Sequence, residues 1–290
     1  MVVGGGKTGI DTCLWLLENH VSPHNIHWVV SRDAWLLNRK NTQPLDNFFF
    51  DSIGAQANQM EAIAASSSIE DMFDKLEERG VLLRIDKEVR PSMFHGATVS
   101  ELELNALQTL PSVVRQGRVK HISREELRFE NTAWKMPENT LVIDCSASAL
   151  TNLEMKAVFD GDTITPQTVR AYQPVFSAAL IAHVEAAYSD ERQKQMLTQV
   201  VPLPNRDVDW LPMTAAMLRN MQIWGEDPAL KAWIYQCRLD GFSKIVHGVA
   251  KDDMQKMQVL GRLKQAAAPA FGWIRRPPCE SAQSWTRNTR

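Results

Sequence analysis

A glycine-rich turn near the amino end constrains the fold of this chain more than any other segment. The valines at positions 2 and 3 lead into glycines with the spacing G-x-G-x-x-G: Gly4, Gly6 and Gly9. Apolar residues then recur at the steps of an amphipathic helix: Ile10, Cys13, Leu14 and Leu17. The apolar run 26–30 predicts a second strand. This order of strand, glycine turn, helix and strand is the context in which the spacing indicates dinucleotide binding.

Each glycine of such a turn has its own expected role. Gly4 lets the chain turn tightly, Gly6 lets a pyrophosphate approach the backbone, and Gly9 lets the helix pack closely on the strand. Free N–H groups at the start of the helix then face the phosphates. The candidate pyrophosphate-binding residues are the whole turn: Gly4, Gly5, Gly6, Lys7, Thr8 and Gly9. The alternative is a turn that only packs the strand against the helix.

The tripeptide at positions 6–8 also matches the end of the phosphate-binding loop G-x-x-x-x-G-K-[ST] of nucleoside triphosphatases. The first glycine of that motif would fall at position 1, which is Met1. The apolar strand also runs straight into the glycines, which leaves no room for the longer loop. We therefore expect a dinucleotide at this turn.

The residues after the second strand indicate which dinucleotide binds. An acidic residue at this place favours the free ribose of NAD, whereas arginine favours the 2′-phosphate of NADP. Ser31 lies about 20 positions after Gly9, and Arg32 follows it. Arginine pairs with phosphate through two parallel hydrogen bonds. NADP is therefore predicted over NAD, with positive charge added by Arg39 and Lys40. Asp33 leaves recognition of a free ribose open.

Composition excludes several other classes. The 290 residues carry 32 Lys and Arg against 34 Asp and Glu, a net charge of -2, so a nucleic-acid partner is not expected. No run reaches the ~20 apolar residues of a membrane span, so no membrane partner is expected either. The cysteines are too far apart for a disulfide framework or a zinc motif: Cys13, Cys145, Cys237 and Cys279. We expect a cytoplasmic protein without a metal.

The middle of the chain predicts helices followed by an antiparallel meander. Residues 46–80 have helical spacing, with Ser68 and Asp71 as a capping pair and Gly80 as a stop. A strand and another helix follow, at 81–85 and 98–110. Three short β-prone runs separated by turn residues predict the meander: 118–122, 127–129 and 133–136. Residues 140–145 predict a buried strand.

This order of elements resembles the nicotinamide-binding half of the two-dinucleotide-domain flavoprotein oxidoreductases. That superfamily includes flavin-containing monooxygenases and pyridine-nucleotide reductases. Its nicotinamide domain opens with a glycine motif and closes with a meander and a strand that returns to the flavin domain, often ending in Ala-Thr-Gly. The run 141–147 matches this strand, although the final glycine is absent. Its small residues would then lie near the flavin: Cys145, Ser146 and Ala147.

The resemblance covers about residues 1–150 and implies an α/β fold there: a Rossmann-like NAD(P)-binding domain with a parallel sheet and an antiparallel meander. It further implies a mostly helical region at 151–274 that completes a flavin and substrate domain, before a polar tail at 275–290. In the superfamily, hydride passes from NADPH to FAD and then to a small organic substrate or to oxygen. An earlier glycine motif binds FAD, so FAD is expected in a longer, full-length protein.

Two alternatives to this flavoprotein oxidoreductase remain open. One is a catalytically inert NAD(P)-binding fragment or interaction module derived from such an enzyme. The other is a flavin-free NADP-dependent reductase. No motif in the sequence identifies a catalytic acid or base.

Overall fold

The structure, a computed structural model, describes residues 1–148 and 154–275. The strands are short: β1 (Val2–Val3), β2 (His27–Val29), β3 (Leu36–Asn38), β4 (Leu82–Leu83), β5 (Thr98–Val99), β6 (Ser112–Val114), β7 (His121–Ile122), β8 (Glu126–Arg128), β9 (Ala133–Lys135), β10 (Ile143–Asp144), β11 (Phe159–Asp160) and β12 (Thr163–Ile164). The helices are α1 (Lys7–Glu18), α2 (Phe49–Ala64), α3 (Ile69–Glu78), α4 (Glu101–Gln108), α5 (Pro174–Ala187), α6 (Glu191–Leu197), α7 (Trp210–Glu226), α8 (Pro228–Gln236), α9 (Ser243–His247) and α10 (Met254–Ile274).

The chain divides into two compact units, each built from three separated pieces. The first unit comprises Met1–Lys40, Leu82–Glu154 and Leu203–Trp210. The second comprises Asn41–Val81, Met155–Pro202 and Leu211–Arg290. These units differ from the contiguous ranges 1–150 and 151–274 expected from the sequence. The predicted polar tail, 275–290, lies outside the described residues except for Arg275.

A four-stranded parallel sheet forms the centre of the first unit, in the order β10-β1-β2-β6. In register, Val2 lies beside Trp28 on one side and beside Ile143 on the other. The chain therefore moves outward from β1 through β2 to β6 and then returns to the opposite side of β1. The predicted mixed α/β class with a parallel sheet is confirmed.

Alternate side chains of this sheet are buried on its two faces, as expected for strands covered on both sides. Val2 and Trp28 pack with the apolar stripe of α1 and with α4 on one face. On the other face, Val3 and Val29 pack against the antiparallel meander β7-β8-β9, in which Leu127 is fully buried. The predicted meander and helix α1 are both confirmed.

The predicted helix at 98–110 begins later than the sequence indicated. Thr98 and Val99 form β5, which pairs with β3 in a second sheet of the order β4-β3-β5. Ser100 caps α4: its hydroxyl accepts a hydrogen bond from the backbone N–H of Glu103, whose carboxylate accepts one from the N–H of Ser100. This reciprocal capping box fixes the helix start. The predicted strand at 140–145 is likewise shorter and comprises only β10. It was expected to be buried, but it is half-buried to exposed because it lies at the edge of the sheet.

The second unit consists mainly of helices. Helix α2 packs along α10, where Phe49, Ile53 and Val259 are buried together. A second apolar cluster surrounds Trp224 of α7 and contains side chains of α5 and α8. Its only sheet among the described residues is the hairpin of β11 and β12.

Candidate functional site

Gly4 occupies a position that only glycine can fill. Its φ of +136° is strained for any residue with a side chain. A Cβ atom there would lie 2.5 Å from the carbonyl oxygen of Cys145, which directly follows β10. The turn is further held by a hydrogen bond from Nε1 of Trp28 to the carbonyl oxygen of Gly4, at 2.8 Å. The tight turn predicted at this glycine is therefore present.

Gly9 and Gly6 differ in the space around them. A Cβ atom on Gly9 would lie 2.0 Å from the carbonyl oxygen of Gly4, so the helix packs directly on the turn. A Cβ atom on Gly6 would meet no atom within 4 Å. Gly5 is buried, and a Cβ atom on it would lie 3.0 Å from the side chain of Val30. The absence of a side chain thus serves internal packing at Gly9 and leaves open space at Gly6.

The start of α1 presents backbone N–H groups beside that open space. Gly6 is the N-cap residue, no side chain caps the helix, and the first turn carries no acidic residue. The N–H of Ile10 bonds to the carbonyl of Gly6 at 3.0 Å, so the earlier N–H groups lack helical partners. Lys7 pairs with Asp11 and Thr8 is exposed. Such a helix start favours negatively charged groups.

The residues after β10 lie at the same end of the sheet as the glycine turn. The N–H of Cys145 bonds to the carbonyl of Val3 at 2.7 Å, which brings the end of β10 beside the end of β1. The thiol of Cys145 lies 3.4 Å from the hydroxyl of Thr12 on α1. Ser146 and Ala147 are exposed. Hydrogen bonds from Ser146 lower the pKa of Asp144. The structure therefore brings the predicted residues 145–147 next to the glycine turn at 4–9.

Arg32 is held at the end of β2 by a residue far away in the sequence. Its Nη2 donates a 2.8 Å hydrogen bond to Oδ1 of Asn205, while Ser31 beside it is exposed. Burial lowers the pKa of Arg32, the positive charge of Arg118 lowers it further, and the negative charge of Asp209 opposes them. The charge of Arg118, which follows the neighbouring strand β6, is therefore felt by Arg32 at this edge of the sheet.

Asp33 has both carboxylate oxygens occupied. Nε and Nη2 of Arg115 donate to them at 3.0 and 3.2 Å, and only 7% of Asp33 is exposed. The bond to Arg115 makes Asp33 a structural link between the ends of β2 and β6. Its carboxylate is not free to bind a ribose.

The expected positive charge of Arg39 and Lys40 is neutralised in the structure. Arg39 pairs with Glu103 at 2.9 Å, and Lys40 pairs with Glu101 at 2.8 Å. The side chains of Arg39 and Lys40 therefore connect the end of β3 to the start of α4. They add no net charge to the end of β2.

Three further residues near Arg32 were missed by the sequence reasoning: Asn205, His95 and Arg118. Only Arg118 could have been predicted from the sequence. It follows β6 as Arg32 follows β2, and neighbouring parallel strands end at the same edge of a sheet. Asn205 reaches this edge because residues 205–207 run beside residues 92–94, with Phe94 N–H bonded to the carbonyl of Asn205 at 3.3 Å. No local pattern predicts that pairing.

A separate open crevice of about 420 Å³ lies in the first unit beside the edge strand β6, with Val113, Arg115 and Lys87 among its lining residues. Within residues 1–148 and 154–275, no group of three or more His, Cys, Asp or Glu side chains could hold a metal ion. No helix in those ranges is both long enough and apolar enough to span a bilayer.

The chain is similar to uncharacterized proteins of Mycobacterium tuberculosis and Mycobacterium bovis. It is 44% identical to each over 243 residues, which cover 83% of this chain and 45% of the relative. The chain thus spans about half the length of the curated relatives it matches. No family model matches the sequence, and no solved structure matches it.

Proposed function

We propose that the first unit is a Rossmann-like domain that binds NADP(H) for an oxidoreductase. The observation that carries the proposal is the glycine turn: Gly4 and Gly9 are required by close backbone packing, whereas Gly6 borders open space at an uncapped helix start. A pyrophosphate at Gly6 would accept hydrogen bonds from the N–H groups of Lys7 and Thr8. The partial positive charge of the helix start would favour it.

The sheet order supports the same placement. Counted along the chain, the parallel strands lie in the order fourth, first, second, third. This is the order of the first half of a doubly wound nucleotide-binding fold together with the first strand of its second half, and ligands bind in that fold outside the carboxyl ends of the strands where the order reverses. The reversal here lies between β1 and β10, between Gly4 and Cys145.

The end of β2 favours NADP over NAD. Ser31 is exposed and Arg32 lies beside it, so a hydroxyl and a guanidinium group can donate hydrogen bonds to a 2′-phosphate. Binding of NAD would require Asp33 to accept a hydrogen bond from the free ribose, but both of its carboxylate oxygens already accept hydrogen bonds from Arg115.

Bound NADPH would supply a hydride from its nicotinamide ring. The first unit would hold the pyrophosphate at Gly6 and the adenosine end at Ser31 and Arg32. The loop at 145–147 would form one wall beside the glycine turn. These residues orient the cofactor, and no acid or base is assigned.

We place FAD and the small-molecule substrate, or oxygen, in the longer polypeptide. Among the described residues, only 4–9 form a G-x-G-x-x-G turn between a parallel strand and a helix. The aligned region makes up less than half of each relative, so residues outside that region are available for a second dinucleotide. The proposed enzyme class is thus a flavin-dependent oxidoreductase of the reductase or monooxygenase type.

Titration of the purified chain with NADPH, followed by nicotinamide fluorescence, tests the proposal. We expect saturable binding that is stronger than that of NADH by about 1.5–3 kcal/mol, the range for a hydrogen bond to a charged group. A visible spectrum of the same sample shows whether flavin is bound. Binding without flavin or turnover would favour the inert binding module. Absence of NADPH binding by a folded sample would reject the proposal.

A further inference from the structure

We infer that Arg118 and Arg32 form a two-arginine clamp for the 2′-phosphate, and that Asn205 is the positioning residue of this clamp. The inference rests on the proposed binding of NADP(H). It adds two specificity-determining residues that lie outside the strand–turn–helix–strand motif: one follows β6, and the other lies 173 positions after Arg32.

The backbone brings the loops after β2 and β6 together. The N–H of Val30 bonds to the carbonyl of Val114 at 2.9 Å, so the two strands end side by side. Immediately beyond them, Arg115 bonds to both oxygens of Asp33 and fixes one loop to the other. Gly117, with a φ of +87°, then turns the chain. Arg118 follows this turn and is exposed.

Among the described residues, neither arginine of this pair is in contact with a carboxylate, because Asp209, whose negative charge raises the pKa of Arg32, pairs with Arg206 instead. In the described part of the chain, no carboxylate lies within 4 Å of the guanidinium group of Arg32 or Arg118. Arg32 is half-buried, where an unpaired charge is unfavourable. The positive charge of Arg118 also lowers the pKa of Arg32. A phosphate dianion between the two groups would relieve their repulsion and accept hydrogen bonds from both.

Asn205 fixes where the guanidinium of Arg32 lies. Its Oδ1 accepts a hydrogen bond from Arg32 at 2.8 Å and lies 3.0 Å from Nε2 of His95. Because this amide oxygen only accepts, Nε2 of His95 must carry its hydrogen. The bond to Asn205 uses one of the five N–H donors of Arg32, which leaves the others for a ligand.

Two fragments of the cofactor separate the 2′-phosphate from the rest of the dinucleotide: adenosine 2′,5′-bisphosphate and adenosine 5′-monophosphate. We expect Arg118→Ala to weaken calorimetric binding of the bisphosphate by about 10- to 100-fold, the range for a charge-assisted hydrogen bond. Binding of the monophosphate should be unchanged. Arg124→Ala is the matched control, because Arg124 is also an exposed arginine of the first unit, and it should change neither.

Two variants at Asn205 test the positioning role. Asn205→Asp places a carboxylate against Arg32 and should reduce bisphosphate binding by at least about 10-fold, whereas Asn205→Ala should have a smaller effect. Monophosphate binding should be constant in both, which a general loss of structure would not allow. Circular dichroism spectra confirm that each variant is folded.

The outcomes separate the clamp from the proposed function. Selective loss of bisphosphate binding in Arg118→Ala and Asn205→Asp supports the clamp. Equal binding of the two fragments by the unaltered chain, or an unchanged bisphosphate affinity in Arg118→Ala, overturns the clamp while NADPH binding itself stands. If neither fragment nor NADPH binds, both the clamp and the proposed function are wrong.

Discussion

Gly6 differs from the other glycines of the turn because the space beside it is open. Its φ of −86° is accessible to any residue, and a Cβ atom there would contact nothing within 4 Å. A Cβ atom on Gly4 would instead lie 2.5 Å from a backbone carbonyl oxygen, and a Cβ atom on Gly9 would lie 2.0 Å from one. Stability and ligand binding should therefore respond to different glycines of one motif.

Gly6→Trp should abolish NADPH binding and leave the protein folded. The indole would fill the space assigned to the pyrophosphate, without a clash against the described residues around Gly6. Fluorescence titration and a thermal melt of the same preparation measure the two properties. Unchanged NADPH affinity would show that the pyrophosphate binds elsewhere.

Gly9→Ala should instead lower the free energy of unfolding. Its methyl group would overlap the carbonyl oxygen of Gly4, and overpacking of this kind typically costs about 1–3 kcal/mol. Urea denaturation measures the effect, with Gly6→Ala as the control because its methyl group enters open space. Equal stability of the two variants would contradict the close packing of α1 on the turn.

Individual elements show which features the sequence could predict. Ser68 was expected to cap a helix that Gly80 ends, and the structure has Ser68 accepting a hydrogen bond from the N–H of Asp71, with Gly80 at a φ of +67°. Both signals are local. The predicted start of α4 was wrong because Thr98 can cap a helix as Ser100 does. Only the pairing of β5 with β3 shows that Ser100 is the N-cap residue.

Helices α5 and α8 of the second unit are linked through Tyr188, which should titrate at high pH. Its hydroxyl donates to Asp227, the N-cap residue of α8, at 3.0 Å. Burial, and then this hydrogen bond, raise the pKa of Tyr188 to about 12. The folded protein thus keeps a proton that the unfolded chain loses above about pH 10, so stability is lost as pH rises from there to 12.

Tyr188→Phe should make the decrease in stability with rising pH less steep over that interval. Urea denaturation at several pH values between 9 and 12 measures the slope, and Tyr235→Phe, which alters an exposed tyrosine, serves as the control. Identical slopes for the unaltered chain and Tyr188→Phe would contradict the link between α5 and α8.

A buried ion pair joins two segments of the second unit that lie far apart in the sequence. Arg170 and Asp240 are 9% and 1% exposed and lie 2.8 Å apart, with Arg170 over the ring of Phe176. Arg170→Met should destabilise this unit by about 3–5 kcal/mol, since it leaves a buried carboxylate unpaired. Lys40→Met, which breaks an exposed pair, should change stability by less than about 1 kcal/mol. Similar effects of both variants in denaturation experiments would contradict this.

At the scale of the whole molecule, the division into units could not be predicted from the order of segments. Residues 41–81 belong with the carboxyl-terminal helices because α2 packs on α10 and Glu61 pairs with Arg262, 201 positions away. Amphipathic spacing shows that α2 buries one face but does not show which partner covers it. Asn205 could not be predicted at the candidate site either, because its contact with Arg32 depends on a pairing between segments far apart in the sequence.

The central claim is that a dinucleotide binds at the glycine turn of the first unit. Heteronuclear NMR of the ¹⁵N-labelled chain during titration with NADPH tests it most directly, because each backbone amide reports its own environment. We expect the largest shifts at the amides of Gly5, Gly6, Lys7 and Thr8, with further shifts at Ser31 and Arg32. Saturable binding whose shifts spare residues 4–9, or no shifts at saturating NADPH, would contradict the account.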